Sequence, residues 1–510
     1  MLAPLSRCEG ARTALVRTEG ATPGGGRPMH RTARRRIAGS DAGFLYIESP
    51  SQTSTCTHVV ILGAPGENQE RLTREALVDH LVQRLPRVPA MTRRLQHVPG
   101  RIGHALLVDD DRFDVEDHVR HDALPLPGGD AEYDAWIADR LALHLDTSRP
   151  LWQVTLLDGL AGGRQALVFA FHHTLADGAG LLGILAELLD DRAATRPPWA
   201  DADELAPHPP MRPTALFLAT LTRQVVVWLT MPWLLLVTIR RFRRVRRVRE
   251  AAAVAVPNAG GSAPRSVLNT STDDRRAFAR ATLPLAELRA VRRAAGTPLS
   301  DVVLAVVAGG LRSHLAERGE LPDEPLVVNV PIGHDAPGAT PRVSGNVFCN
   351  FYAMLPTHVA DPCARLEATA AATAEAKRQL DVQGRDTLIT WLDRIPPALG
   401  AWGARTMAEQ RLTGEAAPDF NLIVSNLKVP DDGWTMHGRR VEQVIFSGPV
   451  ADGAGLNLTV VGYGDQVVVG IQTNPSAVAD PVDLASRLHA ALVELADAYD
   501  HAPTDQGQVA

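Results

Sequence analysis

The apolar positions of this chain fall into two series separated by a proline-rich stretch. Ser40-Asp41 reads as a helix N-cap before Phe44, Leu45 and Tyr46, and Thr57 to Leu62 reads as a strand stopped by Gly63 and Pro65. Helical spacing recurs over 70–86 and over 131–145, where Trp136, Ile137, Leu141 and Leu145 share one face. Strands are expected at 152–158 and 165–171, and a helix at 179–191. The prolines between Pro197 and Pro213 mark a linker. A second series begins at Ala277. It predicts a strand near 279–284, helices near 286–295 and 298–317, and strands near 325–330, 346–355, 421–426, 456–462 and 466–472. Tyr463-Gly464-Asp465 joins the last two strands as a tight hairpin, and helices near 361–380 and 482–499 complete the half. The class is α/β, with mixed sheets flanked by helices in both halves.

Between the series lies the most apolar stretch, 214–239. Its uncharged core, Val225 to Ile239, is shorter than the roughly 20 residues that cross a bilayer, and Pro232 is expected to interrupt its helix. Seven Arg follow between 240 and 249. One reading is a helix lying in a membrane interface, its basic strip on anionic lipid. The other is a buried crossover helix with a solvated Arg end. A true span is disfavoured, because it would put the two halves on opposite sides of the membrane.

Composition narrows the class. The chain has 510 residues, 45% hydrophobic and 22% charged, which excludes a collagen, a rod, a disordered chain and a polytopic membrane protein. The net charge is −6. Residues 1–37 hold eight Arg against two Glu, and with the Arg strip set apart the remainder carries about −19. No nucleic-acid partner is expected of such a body. Residues 1–37 lack the apolar run of a secretory signal and are expected to be a disordered basic tail, as are 501–510. Cys8, Cys56, Cys349 and Cys363 form no CxxC and sit beside no suitable His cluster, so no metal site and no disulfide framework are expected.

The chemistry concentrates at Phe171-His172-His173-Thr174-Leu175-Ala176-Asp177-Gly178. The apolar run from Ala166 to Phe171 puts the histidines at a strand end, where alternation sends them to opposite faces. Asp177 is placed to cap the next helix, and Gly178 permits close approach of chain or substrate. Imidazole can take a proton from an alcohol, amine or thiol near neutral pH. No activated Ser or Cys lies nearby, so direct transfer is favoured over a covalent intermediate. The plain alternative is a pair of partly buried structural histidines.

His172 to Gly178 matches the HHxxxDG motif of the acyl-CoA-dependent acyltransferase superfamily, which includes chloramphenicol-acetyltransferase-like enzymes and peptide-synthetase condensation domains. Further segments narrow the match. Ser40 to Tyr46, Pro150-Leu151-Trp152, Asp301 to Ala305, Leu315 to Pro322, Ser425-Asn426 and Gly455 to Val460 resemble the bacterial wax ester synthase/diacylglycerol acyltransferase family. The resemblance runs from about residue 38 to 500. One departure is Ser300-Asp301, where the family usually has Asn-Asp; Ser is the shorter donor.

The resemblance implies two chloramphenicol-acetyltransferase-like domains, 38–210 and 266–500, joined by a linker over 211–265, with the active-site channel between them. It implies His173 as the base, with His172 and Asp177 completing the catalytic motif and Asp177 mainly structural. The implied substrate-binding residues are Gly178, Pro150, Leu151, Trp152, Ser300, Asp301, Ser425 and Asn426; Pro150, Leu151 and Trp152 are expected to shape the acyl channel or position the histidine loop, with ordinary core packing as the plain alternative, and Asp301 is expected to hold the fold or the site. The implied reaction moves a fatty acyl group from acyl-CoA to diacylglycerol or a long-chain alcohol, with no metal or other cofactor. It also implies a cytoplasmic enzyme held peripherally on the inner face of the membrane or on lipid droplets. Two alternatives are an amide- or ester-forming condensation enzyme and a non-catalytic lipid-binding homologue.

Overall fold

The computed structural model describes residues 36–67, 69–257, 263–336, 338–412, 417–429 and 433–500. The expected tails at 1–37 and 501–510 therefore fall outside the described residues, except for Arg36 and Ile37. These two already belong to the fold: Ile37 is buried, and Arg36 donates to the carbonyl of His104 at 2.6 Å and to Thr220 Oγ1 at 2.9 Å.

The first half contributes β1 (Thr55–Leu62), β2 (Arg93–Gln96), β3 (Leu106–Asp109), β4 (Val119–Ala123), β5 (Trp152–Asp158) and β6 (Gln165–His172). Its helices are α1 (Gly39–Tyr46), α2 (Arg74–Arg84), α3 (Asp130–Arg140), α4 (Gly178–Leu189) and the single turn α5 (Ala202–Leu205). The long α6 (Pro213–Glu250) follows. The second half holds β7 (Ala277–Pro284), α7 (Leu285–Ala295), α8 (Leu299–Glu317), β8 (Leu326–Gly333), β9 (Phe348–Leu355), α9 (Pro362–Gln383), α10 (Thr387–Leu392) and α11 (Pro397–Leu412). It ends with β10 (Leu422–Lys428), β11 (Thr435–Met436), β12 (Arg439–Ser447), β13 (Leu456–Tyr463), β14 (Gln466–Thr473) and α12 (Pro481–Asp500). The α1 start corrects the expected N-cap. Asp41 lies inside the first turn, and its Oδ2 accepts from the Ala38 amide at 3.2 Å.

Two six-stranded mixed sheets form, in the orders β11-β12-β1-β6-β5-β4 and β7-β14-β13-β10-β8-β9. Every residue of β1 is buried, as befits a central strand covered on both faces. The first sheet draws β11 and β12 from the second half of the sequence, and β12 pairs antiparallel with β1 from Thr57↔Ser447 to Leu62↔Val441. Neither strand was expected. Polar Arg440, Glu442 and Gln443 break up the apolar pattern of the segment, and its partner lies hundreds of residues away. The two sheets meet where a Cβ on Gly470 of β14 would stand 2.2 Å from the carbonyl oxygen of Phe446 in β12. Val59 and Ile445 from the first sheet share one apolar cluster there with Phe278 and Val468 from the second.

Helix α6 runs unbroken through Pro232, which corrects the expected interruption. A proline removes one N–H from the ladder, and on an exposed helix water can satisfy the freed carbonyl. The buried-crossover reading is also corrected, since only 6% of its most apolar window is buried, whereas the similarly apolar α8 is 72% buried. Both helices are long and apolar enough to cross a membrane by length and composition. Yet α6 is held to the body along its length. Leu216 packs with Val98, Leu106 and Val108, Thr238 Oγ1 accepts from Trp391 Nε1 at 2.9 Å, and Arg249 Nε donates to Gln379 Oε1 at 2.8 Å.

Candidate active site

The histidine turn is set by its backbone. The His172 amide donates to the Leu151 carbonyl at 3.0 Å, the His173 amide to the Ser54 carbonyl at 2.9 Å, and the Leu175 amide back to the His172 carbonyl at 2.9 Å. The chain then meets the second half. Ala176 forms a parallel bridge with Gly345, and the Gly345 amide donates to the Leu175 carbonyl at 2.8 Å.

Asp177 fastens this junction. As N-cap of α4 its Oδ1 accepts from the Gly180 amide at 2.9 Å. Arg342 Nη2 lies 2.9 Å from both carboxylate oxygens, and the Val347 amide donates to Oδ2 at 2.8 Å. Both side chains are largely buried, and the carboxylate ties α4 of the first half to the loop that carries Arg342 and Val347. Close approach makes the clamp reachable. A Cβ on Gly183 of α4 would stand 1.9 Å from the Arg342 carbonyl oxygen.

His173 takes its tautomer from Asn346. Asn346 Nδ2 donates to the His173 carbonyl at 2.9 Å, which turns the amide oxygen Oδ1 toward His173 Nδ1 at 3.1 Å. Oδ1 can only accept, so Nδ1 carries the hydrogen and Nε2 keeps its lone pair. Asn346 is itself held by its amide, which donates to Asp41 Oδ1 at 3.1 Å. Phe44 of α1 stacks on the His173 ring with centroids 3.9 Å apart and planes 12° apart. Burial pushes the His173 pKa below its usual value, which keeps the imidazole neutral.

His172 points the other way and is fully buried. Its Nδ1 accepts from the Thr174 amide at 3.1 Å, and its Nε2 lies 3.4 Å from Glu48 Oε1. Burial alone would favour the neutral acid at Glu48, but His172 and the Ser54 amide outweigh it and hold that carboxyl below its usual range. This is a supporting pair beneath the turn.

His173 opens into a cavity of about 240 Å³ between the two sheets, lined also by Phe44, His58, Asp177, Gly178, Ser425 and Asn426. The lining is mainly apolar, with the polar groups of β8, β10 and β13 converging on one wall. His58 is buried edge-on to Phe446, with ring centroids 3.8 Å apart, and burial pushes its pKa down to about 3.

The cavity thus gathers His173, Asp177, Gly178, Ser425 and Asn426 from the residues expected in the sequence. It does not gather Pro150, Leu151 and Trp152. Leu151 and Trp152 are buried in packed clusters, Trp152 Nε1 donates to the Met91 carbonyl at 2.7 Å, and Pro150 borders a separate polar surface cavity. Their contribution is the Leu151 carbonyl that holds the His172 amide. Ser300 and Asp301 also lie outside the cavity lining. They start α8 on the helical side of the second sheet, where Asp301 is buried, bonds Ser300 Oγ at 3.2 Å and lies 3.7 Å from Lys377 Nζ. The sequence reading missed Asn346, Arg342 and His58. Their one signal is residue type, because each is separated from the motif by more than a hundred residues. Among the described residues no group of three metal-ligating side chains comes together.

Two mixed α/β halves meeting at an HHxxxDG turn define an acyltransferase of the condensation-domain architecture. The chain belongs to the wax ester synthase/diacylglycerol acyltransferase family: the family's catalytic-domain model matches residues 37–303 and its C-terminal-domain model matches 344–496. It is 32% identical over 478 residues to a Mycobacterium tuberculosis protein named "Putative diacyglycerol O-acyltransferase Rv3087", covering 90% of this chain and 97% of that one. The solved wax ester synthase/diacylglycerol acyltransferase from Marinobacter aquaeolei VT8 superposes with a TM-score of 0.65 at 24% identity, covering 91% of this chain and 99% of the other. The first condensation domain of the CDA synthetase shares the fold, with a TM-score of 0.56 at 16% identity over 92% and 96% of the two chains. The chain is an acyl-CoA-dependent acyltransferase.

Proposed function

We propose that the protein transfers a fatty acyl group from acyl-CoA to the hydroxyl of a diacylglycerol or a long-chain alcohol, with His173 as the general base. The observation that carries this reading is the tautomer set by Asn346, which leaves Nε2 of a neutral, buried imidazole facing an apolar cavity. Nε2 takes the hydroxyl proton as the alcohol oxygen bonds to the thioester carbonyl carbon. The carbonyl oxygen becomes the oxyanion, for which the Ser425 hydroxyl on the cavity face of β10 is a donor. When the carbonyl re-forms, the C–S bond breaks, and the imidazolium returns its proton to the departing thiolate. Every step uses side chains alone and calls for no metal or redox cofactor.

The acceptor is a lipid, and the surface suits one. Along α6, Val226, Trp228, Leu229, Trp233 and Leu236 are exposed, as are Leu388 of α10 and Trp402 of α11. The seven Arg of 240–249 follow. Apolar side chains bordered by cations fit an anionic lipid surface, to which each exposed, unpaired Arg of the strip adds roughly 1 kcal/mol of attraction. Such docking corresponds to a peripheral position on the inner face of the membrane or on lipid droplets.

The test is release of CoA thiol from palmitoyl-CoA, with dioleoylglycerol or hexadecanol as acceptor, beside His173→Ala. Acceptor-dependent release that falls by about 10²–10⁴ in the variant supports the reading. Release that persists in the variant removes His173 as the base. Carrier-bound acyl groups used in preference to acyl-CoA would favour a condensation enzyme, and no release with folded protein would favour a lipid-binding homologue.

A further inference from the structure

A second cavity, of about 390 Å³, lies against the catalytic one, and Asn426 and Leu427 line both. Its wall carries Arg289 and Arg292 of α7 and Lys428 of β10, with no carboxylate among its lining residues. Both arginines and Lys428 are exposed, and none of the three has an ion-pair partner among the described residues. Lys377, the other lysine of the chain, faces Asp301. Three unpaired cations around one concave site are a feature that an anion would satisfy.

The sheet between the two cavities is open. β10 pairs with β13 from Ile423 to Lys428, but with β8 only at Leu422 and Ile423. Past Ile423 the two strands part. Strand alternation then sends Ser425 and Leu427 toward the catalytic cavity, and Asn426 and Lys428 toward the helical side, where α7 and the first turn of α8 stand. A slim, flexible arm can pass this slit, with a charged head remaining on the basic side and a thioester on the histidine side.

We propose that this basic cavity holds the phosphate-bearing nucleotide end of the acyl-CoA donor, and that the thioester arm reaches His173 past Asn426 and Leu427. The proposal rests on the acyl-CoA reading above and adds the site of the donor's nucleotide. Arg289, Arg292 and Lys428 are positioning residues for the phosphates, and none of them touches the reacting atoms.

The experiment compares palmitoyl-CoA with palmitoyl-pantetheine, which has the same thioester and lacks the nucleotide. The variants are Arg289→Glu/Arg292→Glu and Lys428→Glu, with Arg289→Lys/Arg292→Lys as the charge-conserving control and the melting temperature as a check on folding. The charge reversals are expected to raise KM for palmitoyl-CoA about ten-fold with little change in kcat, so that the preference for palmitoyl-CoA over palmitoyl-pantetheine falls toward one. The lysine control keeps the preference. Adenosine 3′,5′-bisphosphate competes with palmitoyl-CoA in the parent enzyme and loses potency in the reversals. An unchanged KM for palmitoyl-CoA, or a bisphosphate that does not compete, overturns the proposal while leaving acyl transfer intact. If the parent turns over neither thioester, the acyl-transfer reading fails. Calorimetric titration with the bisphosphate then decides the cavity: binding lost on charge reversal sustains it, and absent or unaltered binding overturns it.

Discussion

Asn346 Oδ1 accepts a hydrogen bond from His173 Nδ1 at 3.1 Å, and this one contact joins the two halves of the chain at the imidazole. The amide fixes both the tautomer and the ring orientation, while Phe44 covers one ring face. Asn346→Leu should therefore lower kcat by about 10–100-fold with little change in KM, because it removes orientation rather than substrate binding. Steady-state kinetics against palmitoyl-CoA would check it. A pure KM effect would assign Asn346 to binding instead.

Burial pushes the His173 pKa below its usual value. The base works in its neutral form, so a lowered pKa extends activity toward acid. The acid limb of the kcat/KM profile should have its midpoint below about 6.5, the ordinary histidine value. A midpoint at or above that value would show a solvated or carboxylate-paired imidazole.

Stability should fall on the same side of neutrality. His58 is buried, with a pKa near 3 in the fold against about 6.5 in the unfolded chain. Between these values the unfolded chain binds the extra proton, so stability is intact above about pH 6.5 and declines as pH falls toward 3. His58→Phe, which keeps the contact with Phe446, should flatten the melting temperature over this window. An unchanged pH slope would assign the acid sensitivity to other buried histidines.

Asp177 clamps Arg342, the Gly180 amide of α4 and the Val347 amide. Asp177→Ala removes one of the two carboxylates on Arg342, with Asp335 remaining, and leaves the Gly180 and Val347 amides without their acceptor, which should cost about 1–3 kcal/mol. Denaturant unfolding measures the loss, and activity should fall in step with it. Full stability with abolished activity would instead give Asp177 a chemical role.

Gly183 is a purely steric test of the junction. Gly183→Ala puts a methyl group against the Arg342 carbonyl and should destabilise the protein by about 1–3 kcal/mol. It should also lower kcat, because the same loop carries Asn346. A variant as stable and active as the parent would mean that α4 and this loop can separate without cost.

Much of the architecture was legible along the chain because it is locally encoded. The apolar runs at 165–171 and 456–472, the helical spacing at 286–317, and the HHTLADG turn all declare themselves within a window of one element. Ser425 and Asn426 line the cavity from within β10, which runs on to Lys428 rather than ending at this polar pair. The segments that failed are those whose state depends on a distant partner. The mixed pattern of 439–447 becomes a strand only because β1 offers an open edge. Outside that group, Leu151 and Trp152 are held by packing while the Leu151 carbonyl positions the histidine turn, and Ser300-Asp301 is turned to the helical side of its sheet by the start of α8.

The sequence by itself determined the α/β class, the histidine turn and the family resemblance, because periodicity and motif spacing act over short stretches of chain. Only the tertiary structure decided which groups serve the histidine. Asn346 and Arg342 reach it across more than 160 residues through hydrogen bonds and an ion pair, and such interactions depend on distances of about 3 Å that no one-dimensional pattern records. The exposure of α6 was likewise decided in three dimensions. An apolar run reads the same whether it faces a core or a lipid surface, and it is the packing of the rest of the chain that leaves this one outside.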